Sequence, residues 1–162
     1  MSSYSVRELQ IWDLNEENTG RLSLMLSGLR ATELQDKLAQ TLLTWMQNQW
    51  TKVFAAFNDS QEICGSLSLL LEIKMLQWWC VAWHIEDVAT HPDHLRQWIW
   101  TMLIKHAESY ARDLEIVLLW EETSSMSTYK IILDCSPDLT NYYAKQWFET
   151  AWLFMRTYLT SD

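Results

Sequence analysis

Three groups of side chains in this 162-residue chain could do chemistry, and their spacing limits what that chemistry is. His84, His91, His94 and His106 offer no two-ligand spacing shared with a carboxylate, so a metal centre is not expected. Cys64, Cys80 and Cys135 are odd in number and widely spaced, which fits reduced thiols better than a disulfide frame or a zinc site. The third group is the stretch HPDHLRQWIWTMLIKHAESYA, residues 91 to 111, which begins as a loop and continues as an amphipathic helix. The first turn of a helix carries free N–H groups that bind anions. Here Trp98 and Trp100 occupy that joint, in a chain with 11 Trp and only 3 Gly, whereas Gly alone averages about 7% of residues. From periodicity alone, tryptophans at helical spacing read first as core.

The elements that must position these groups follow from apolar periodicity. SVRELQIWDL reads as a first strand with Val6, Leu9 and Ile11 as its apolar members. Two helices follow, one over NTGRLSLMLSGL and one opening with Thr32 and Gln35 in capping-box spacing and running through Leu38, Leu42, Leu43 and Met46. TKVFAAF, the turn NDSQ and EICGSLSLLLEI read as a hairpin, and VAWHIEDVA as a further strand. Ile99, Leu103, Ala107, Tyr110 and Leu114 repeat near the helical period and predict one face packed on the sheet. TYKIILDC reads as an interior strand. Ser136 is expected to cap a short helix with Pro137 in its first turn, before a last strand near FETAWLFMRTYL. EIVLLWEETSSMS reads as a short extra strand and a polar loop. The order β, α, α, β, β, β, α, β, α, β predicts an α/β fold built on one mixed, mostly antiparallel sheet flanked by helices.

Bulk properties narrow the partners. The length fits a single domain over residues 1–162, able to bury roughly two thirds of its unfolded surface. Asp plus Glu outnumber Lys plus Arg by 21 to 12, so nucleic acid is not an expected partner. No run of 18 apolar residues and no signal-peptide layout occurs, so neither membrane insertion nor secretion is indicated and a cytoplasmic address is expected.

HIEDVATHPDH leading into an amphipathic helix, then YKIILDCSPD, then NYYAKQWFE, resembles the GNAT superfamily of acetyl-CoA-dependent N-acetyltransferases, and within it the glucosamine 6-phosphate N-acetyltransferases. That group shows a HIEDV strand, an Arg-Gly-x-Gly-hydrophobic-Gly loop, a YK-I-LDC-P strand and a FYEKLGF helix end. The likeness covers about residues 50 to 159, and EIKML before HIEDV adds to it. Aligned without gaps, the phosphate loop falls on Leu95, Arg96, Gln97, Trp98, Ile99 and Trp100, with Trp98 and Trp100 at family glycines. Trp147 falls on the Gly of FYEKLGF, and Trp78, Trp79 and Trp83 on further glycines. Leu139 stands where Asn is common, and residues 115–128 read as an inserted segment.

The resemblance implies acetyl-CoA as co-substrate, no metal, a small amino sugar phosphate as acceptor and a homodimer. Asp87, Val88 and Ala89 would receive the acetyl and pantetheine portions, and Arg96, Gln97, Trp98, Ile99 and Trp100 the diphosphate. Tyr143 would protonate the leaving thiolate, and Asp134 would orient the amine. Glu86 and Asp87 would face the sugar, while Arg156, Lys74 and Lys130 are the candidate cations for its phosphate. Cys135 reads as a small residue near the site, since direct transfer needs no covalent nucleophile. Were Trp98 or Trp100 held at positive φ, each would cost roughly 1–2 kcal/mol. The substitutions leave two other readings open: a folded relative impaired in donor binding, and an N-acetyltransferase for another amine.

Overall fold

The computed structural model describes residues 3–29, 36–74, 80–113, 116–117, 125–126 and 128–151. Five strands form its main sheet: β1 (Ser5–Glu8), β2 (Thr51–Phe57), β3 (Ile63–Lys74), β4 (Cys80–Thr90) and β7 (Thr128–Leu133), in the order β1-β2-β3-β4-β7. The first three pairings are antiparallel and β4 to β7 is parallel, giving the mixed, mostly antiparallel sheet that was expected. Between α3 (Ile99–Asp113) and β7, the short strands β5 (Ile116–Val117) and β6 (Ser125–Met126) pair antiparallel. Of the inserted segment, the described residues form two short paired strands where one was expected.

Each face of the sheet carries its own core. On one side α1 (Glu16–Ser27) and α2 (Asp36–Asn48) bury Leu22, Met25 and Leu43 against Leu9, Val53, Ala55 and Phe57. On the other, Ile99, Leu103, Ile104, Ala107 and Ala111 of α3 pack on Phe54, Leu67, Leu69, Trp83 and Ile85. Strand alternation sends neighbouring residues such as Phe54 and Ala55 to opposite cores. Gly65 lets α3 sit this close: a Cβ there would stand 2.6 Å from Ile99 Cγ2 and 3.1 Å from the Ala89 carbonyl oxygen.

Several expectations move. The first strand stops at Glu8, and Ile11 opens a 3-10 turn (Ile11–Asp13) fixed by Arg7, whose guanidinium donates to both Asp13 oxygens at 2.5 and 2.8 Å. Helix α1 begins at Glu16, because Asn15 Oδ1 caps it by accepting from the Asn18 N–H at 2.9 Å. Asn18 is instead a buried latch, donating to the Asp13 and Gln61 carbonyls and accepting from the Ile63 N–H. The Ser136 side chain makes no capping bond, and Pro137–Leu139 form a 3-10 turn before α4 (Thr140–Ala144). Among the described residues β7 borders the sheet. The last predicted strand beyond residue 151 and the Thr32–Gln35 capping box lie outside the described residues, as do Trp78 and Trp79. No described helix is long and apolar enough to cross a membrane.

Candidate active site

The site begins as an irregularity in β4. Ser66 faces Ala89 and Ser68 faces Glu86, so Asp87 and Val88 stand together opposite Leu67 alone. This is a β-bulge, and Asp87 absorbs it with a left-handed φ of 51°. On the other side of β4 the parallel ladder ends at Ile85–Leu133. From Asp87 to Thr90 the strand has no ladder partner on that side among the described residues. The bulge and the lost partner together leave main-chain donors and acceptors of Asp87, Val88 and Ala89 available to an extended ligand.

The chain then turns through Pro92–His94 into α3. The turn is tied to both the first strand and the first helix: Tyr4 Oη lies 3.0 Å from His94 Nδ1, Arg21 Nη2 lies 3.1 Å from His94 Nε2, and Tyr4 also donates to Gln97 Oε1. Arg96 and Trp98 both take φ 62°, the left-handed region glycine enters freely. Trp100 does not, and is helical. The Met102 N–H makes the first helical bond, to the Trp98 carbonyl at 3.0 Å. The amides of Ile99, Trp100 and Thr101 precede it and have no acceptor within the helix.

Those amides border a cavity of about 370 Å³ whose lining includes Val88, Thr90, His94, Arg96, Trp98 and Tyr142. Trp98 is 74% exposed, so its indole forms part of the rim and leaves the space open. Trp100 lines the cavity from the wall, its ring packed against Tyr142 (ring centroids 5.0 Å) and Tyr143 (5.6 Å, nearly perpendicular). The Tyr142 hydroxyl lies 2.9 Å from Thr101 Oγ1.

Tyr143 is held by the way its helix ends. Trp147 N–H donates to the Ala144 carbonyl and Phe148 N–H to the Tyr143 carbonyl, both at 3.2 Å, while Trp147 takes φ 68°. This is a Schellman termination with tryptophan in the glycine position, and its apolar contact is the edge-to-face pair Tyr143–Phe148 at 5.9 Å. Burial pushes the Tyr143 phenol well above its usual pKa; Cys135 and Tyr142 push the same way, and the Trp100 indole N–H pulls it partly back. The phenol therefore stays protonated at neutral pH.

A splayed strand beside unpaired helix-opening amides is an arrangement that can hold an extended, anionic acyl donor. Residues 25–130 match the model of the acetyltransferase (GNAT) family. The chain belongs to that family. A glucosamine 6-phosphate N-acetyltransferase of Schizosaccharomyces pombe is 32% identical to it over 100 residues, covering 62% of this chain and 79% of that relative. Among solved structures, the glucosamine-6-phosphate N-acetyltransferase of Arabidopsis thaliana superimposes with a TM-score of 0.79 at 20% identity, covering 98% of this chain and 99% of that one. An acetyltransferase of Trypanosoma brucei gives 0.78 at 23%, covering 97% and 100%. These two structural likenesses bear on the fold.

For this GNAT-family chain, the predicted residues divide by location. Val88, Arg96, Gln97, Trp98, Ile99 and Trp100 all line the cavity, and Asp87 and Ala89 flank Val88 in the bulge. Glu86 opens the bulge, and Asp134 follows β7 directly where the two strands part. The structure does not bring Lys74 and Lys130 there. Lys74 pairs with Cys80 and Lys130 with Ala82, at the opposite end of β4, five or more residues and so roughly 17 Å away. Lys74 is ion-paired with Glu72, whose carboxyl is held low by Lys74 and by His84 at 2.7 Å. Lys130 lines a separate hollow of about 440 Å³ with Glu108, Arg112 and Trp147. Arg156 lies outside the described residues. Sequence reasoning missed Tyr142, Thr101 and His94 as wall residues, and nothing in their spacing singles them out.

Proposed function

We propose that this chain transfers an acetyl group from acetyl-CoA to the primary amine of glucosamine 6-phosphate by direct attack in a ternary complex. The observation that carries the transfer is the parting of β4 from β7 at the Asp87 bulge, which opens on the cavity at the start of α3. The 32% identical relative from Schizosaccharomyces pombe supports the acceptor.

Acetyl-CoA supplies the acyl group already activated as a thioester. The amides from Gln97 to Trp100 and the Arg96 guanidinium would hold its diphosphate, where the helix dipole and exposed N–H groups favour an anion. Main-chain groups of Asp87, Val88 and Ala89 would align the pantetheine and acetyl portions and donate to the oxyanion that develops on attack. Asp134 would orient the amine and accept its proton, and the protonated Tyr143 phenol would donate to the departing sulfur. Glu86 and Asp87 would face the sugar hydroxyls.

The acceptor's phosphate needs cations; Arg156 stays the candidate from this chain, and the other two candidates, Lys74 and Lys130, stand at the far end of the sheet. We therefore read the working unit as a homodimer in which the second copy completes the phosphate site. Trp98 and Arg96 keep the left-handed backbone of a glycine loop, and the rim indole leaves the cavity open, which favours an active enzyme over an impaired relative. Thiol release from acetyl-CoA tests this reading. Turnover with glucosamine 6-phosphate should greatly exceed that with unphosphorylated glucosamine. No turnover, together with no heat on titrating millimolar acetyl-CoA, overturns the reading.

A further inference from the structure

Between the cavity wall and the buried tyrosine sits a polar atom without a partner. The Trp100 indole nitrogen is sealed from solvent and makes no hydrogen bond. A buried N–H left unpaired costs the fold its full desolvation, so its presence calls for a reason. The ring around it is fixed: Tyr142 lies against one face at 5.0 Å and 34°, and Tyr143 meets it edge-on at 5.6 Å and 82°. Because the nitrogen is sealed, a ligand in the cavity does not reach it. Of the two phenols packed on this ring, that of Tyr142 is already engaged with Thr101 Oγ1 at 2.9 Å, which leaves the Tyr143 phenol, edge-on to the indole, as the group it can serve.

We propose that Trp100 is a positioning residue for acid catalysis: its indole N–H closes a hydrogen bond to the Tyr143 oxygen when that oxygen gives up its proton. The inference rests on the transferase reading and adds to it a residue acting on the acid. In the step concerned, the amine nitrogen bonds to the acetyl carbon, the carbon–sulfur bond breaks with its electron pair on sulfur, and the phenol proton passes to sulfur. A phenolate remains, to be reprotonated when the amine's proton is returned. A phenolate surrounded by apolar rings is costly, and a charge-assisted hydrogen bond to it is stronger than one to the neutral phenol. The indole thus serves the transition state more than the resting state. The other titratable groups bearing on this oxygen are Cys135 beyond β7 and Tyr142 in the same helix, and both disfavour the anion. Trp100 is the one neighbour among these that favours it.

Trp100→Phe keeps the stacked ring and removes the N–H. In the full chain, kcat for acetyl transfer should fall on the order of tenfold with the KM for acetyl-CoA within about twofold. In a Tyr143→Phe background the same change should do nothing more, since the oxygen it acts on is gone. A readout independent of turnover comes from replacing Tyr143 with a fluorinated tyrosine whose phenol titrates near neutrality and following phenolate absorbance. Removing the indole N–H should raise the midpoint by about one pH unit. A moved midpoint without acetyl transfer to any amine supports the hydrogen bond and sinks the transferase reading. An unmoved midpoint, or a kcat loss of equal size with and without the Tyr143 hydroxyl, overturns the inference.

Discussion

Trp147 gives the sharpest test of the idea that tryptophan occupies glycine's backbone here. It sits at φ 68°, closing the turn after α4, and is 93% exposed. Holding an L-residue there costs about 1–2 kcal/mol. Trp147→Gly removes that strain but adds about 0.5–1 kcal/mol of unfolded-chain freedom. The indole hides only about 7% of its surface, on the order of 15 Å² of a side chain that can bury roughly 200, so its loss costs about 0.4 kcal/mol. The net change is a small gain of roughly 0.1–0.6 kcal/mol. Trp147→Ala loses the same contact and keeps the strain, so it should be slightly less stable than the parent. The gap between the two variants is about 0.5–1 kcal/mol, or roughly 0.3–0.5 M in urea midpoint at an ordinary slope. Equilibrium urea unfolding of all three chains reads it directly. A glycine variant no more stable than the alanine variant would refute the reasoning, because the two differ only in the backbone term.

Other outcomes follow from features away from the chemistry. Gly65→Ala should cost about 1–3 kcal/mol, since its methyl would meet Ile99 Cγ2 and the Ala89 carbonyl, and a thermal melt unchanged by the substitution would contradict the packing. Stability should decline as pH falls below the ordinary imidazole value of about 6.5. Burial, with Arg21 for His91, holds His91 and His106 lower in the folded chain, so the unfolded chain takes up protons first. A urea midpoint at pH 5.5 equal to or above that at pH 7.5 would reverse the sign and defeat this account.

The parts of the fold readable from sequence were those set by local periodicity. The β2–β3 hairpin, the strand through HIEDV and the apolar stripe Ile99–Leu103–Ala107 all lie where alternation or helical spacing puts them. Boundaries set by particular side-chain bonds were not readable: the Arg7–Asp13 ion pair turns the chain at Ile11, and the Asn15 cap starts α1 two residues early. The loop's glycine-like conformation at Trp98 and Trp147 was legible only through the resemblance, because propensity argues against tryptophan there. Trp50, also at φ 62° beyond the end of α2, carried no such signal. The distance of Lys74 and Lys130 from the bulge depended on register, which charge alone does not reveal.

The flank of β4 from Asp87 onward, without a ladder partner among the described residues, is also a hazard. A straight row of bare amides and carbonyls would template a foreign strand as readily as it would welcome a substrate. The extra residue at Asp87 bends that row, and two acidic side chains in succession, Glu86 and Asp87, make it a poor seam for another polypeptide. The distortion that admits a ligand thereby also guards against adhesion between molecules.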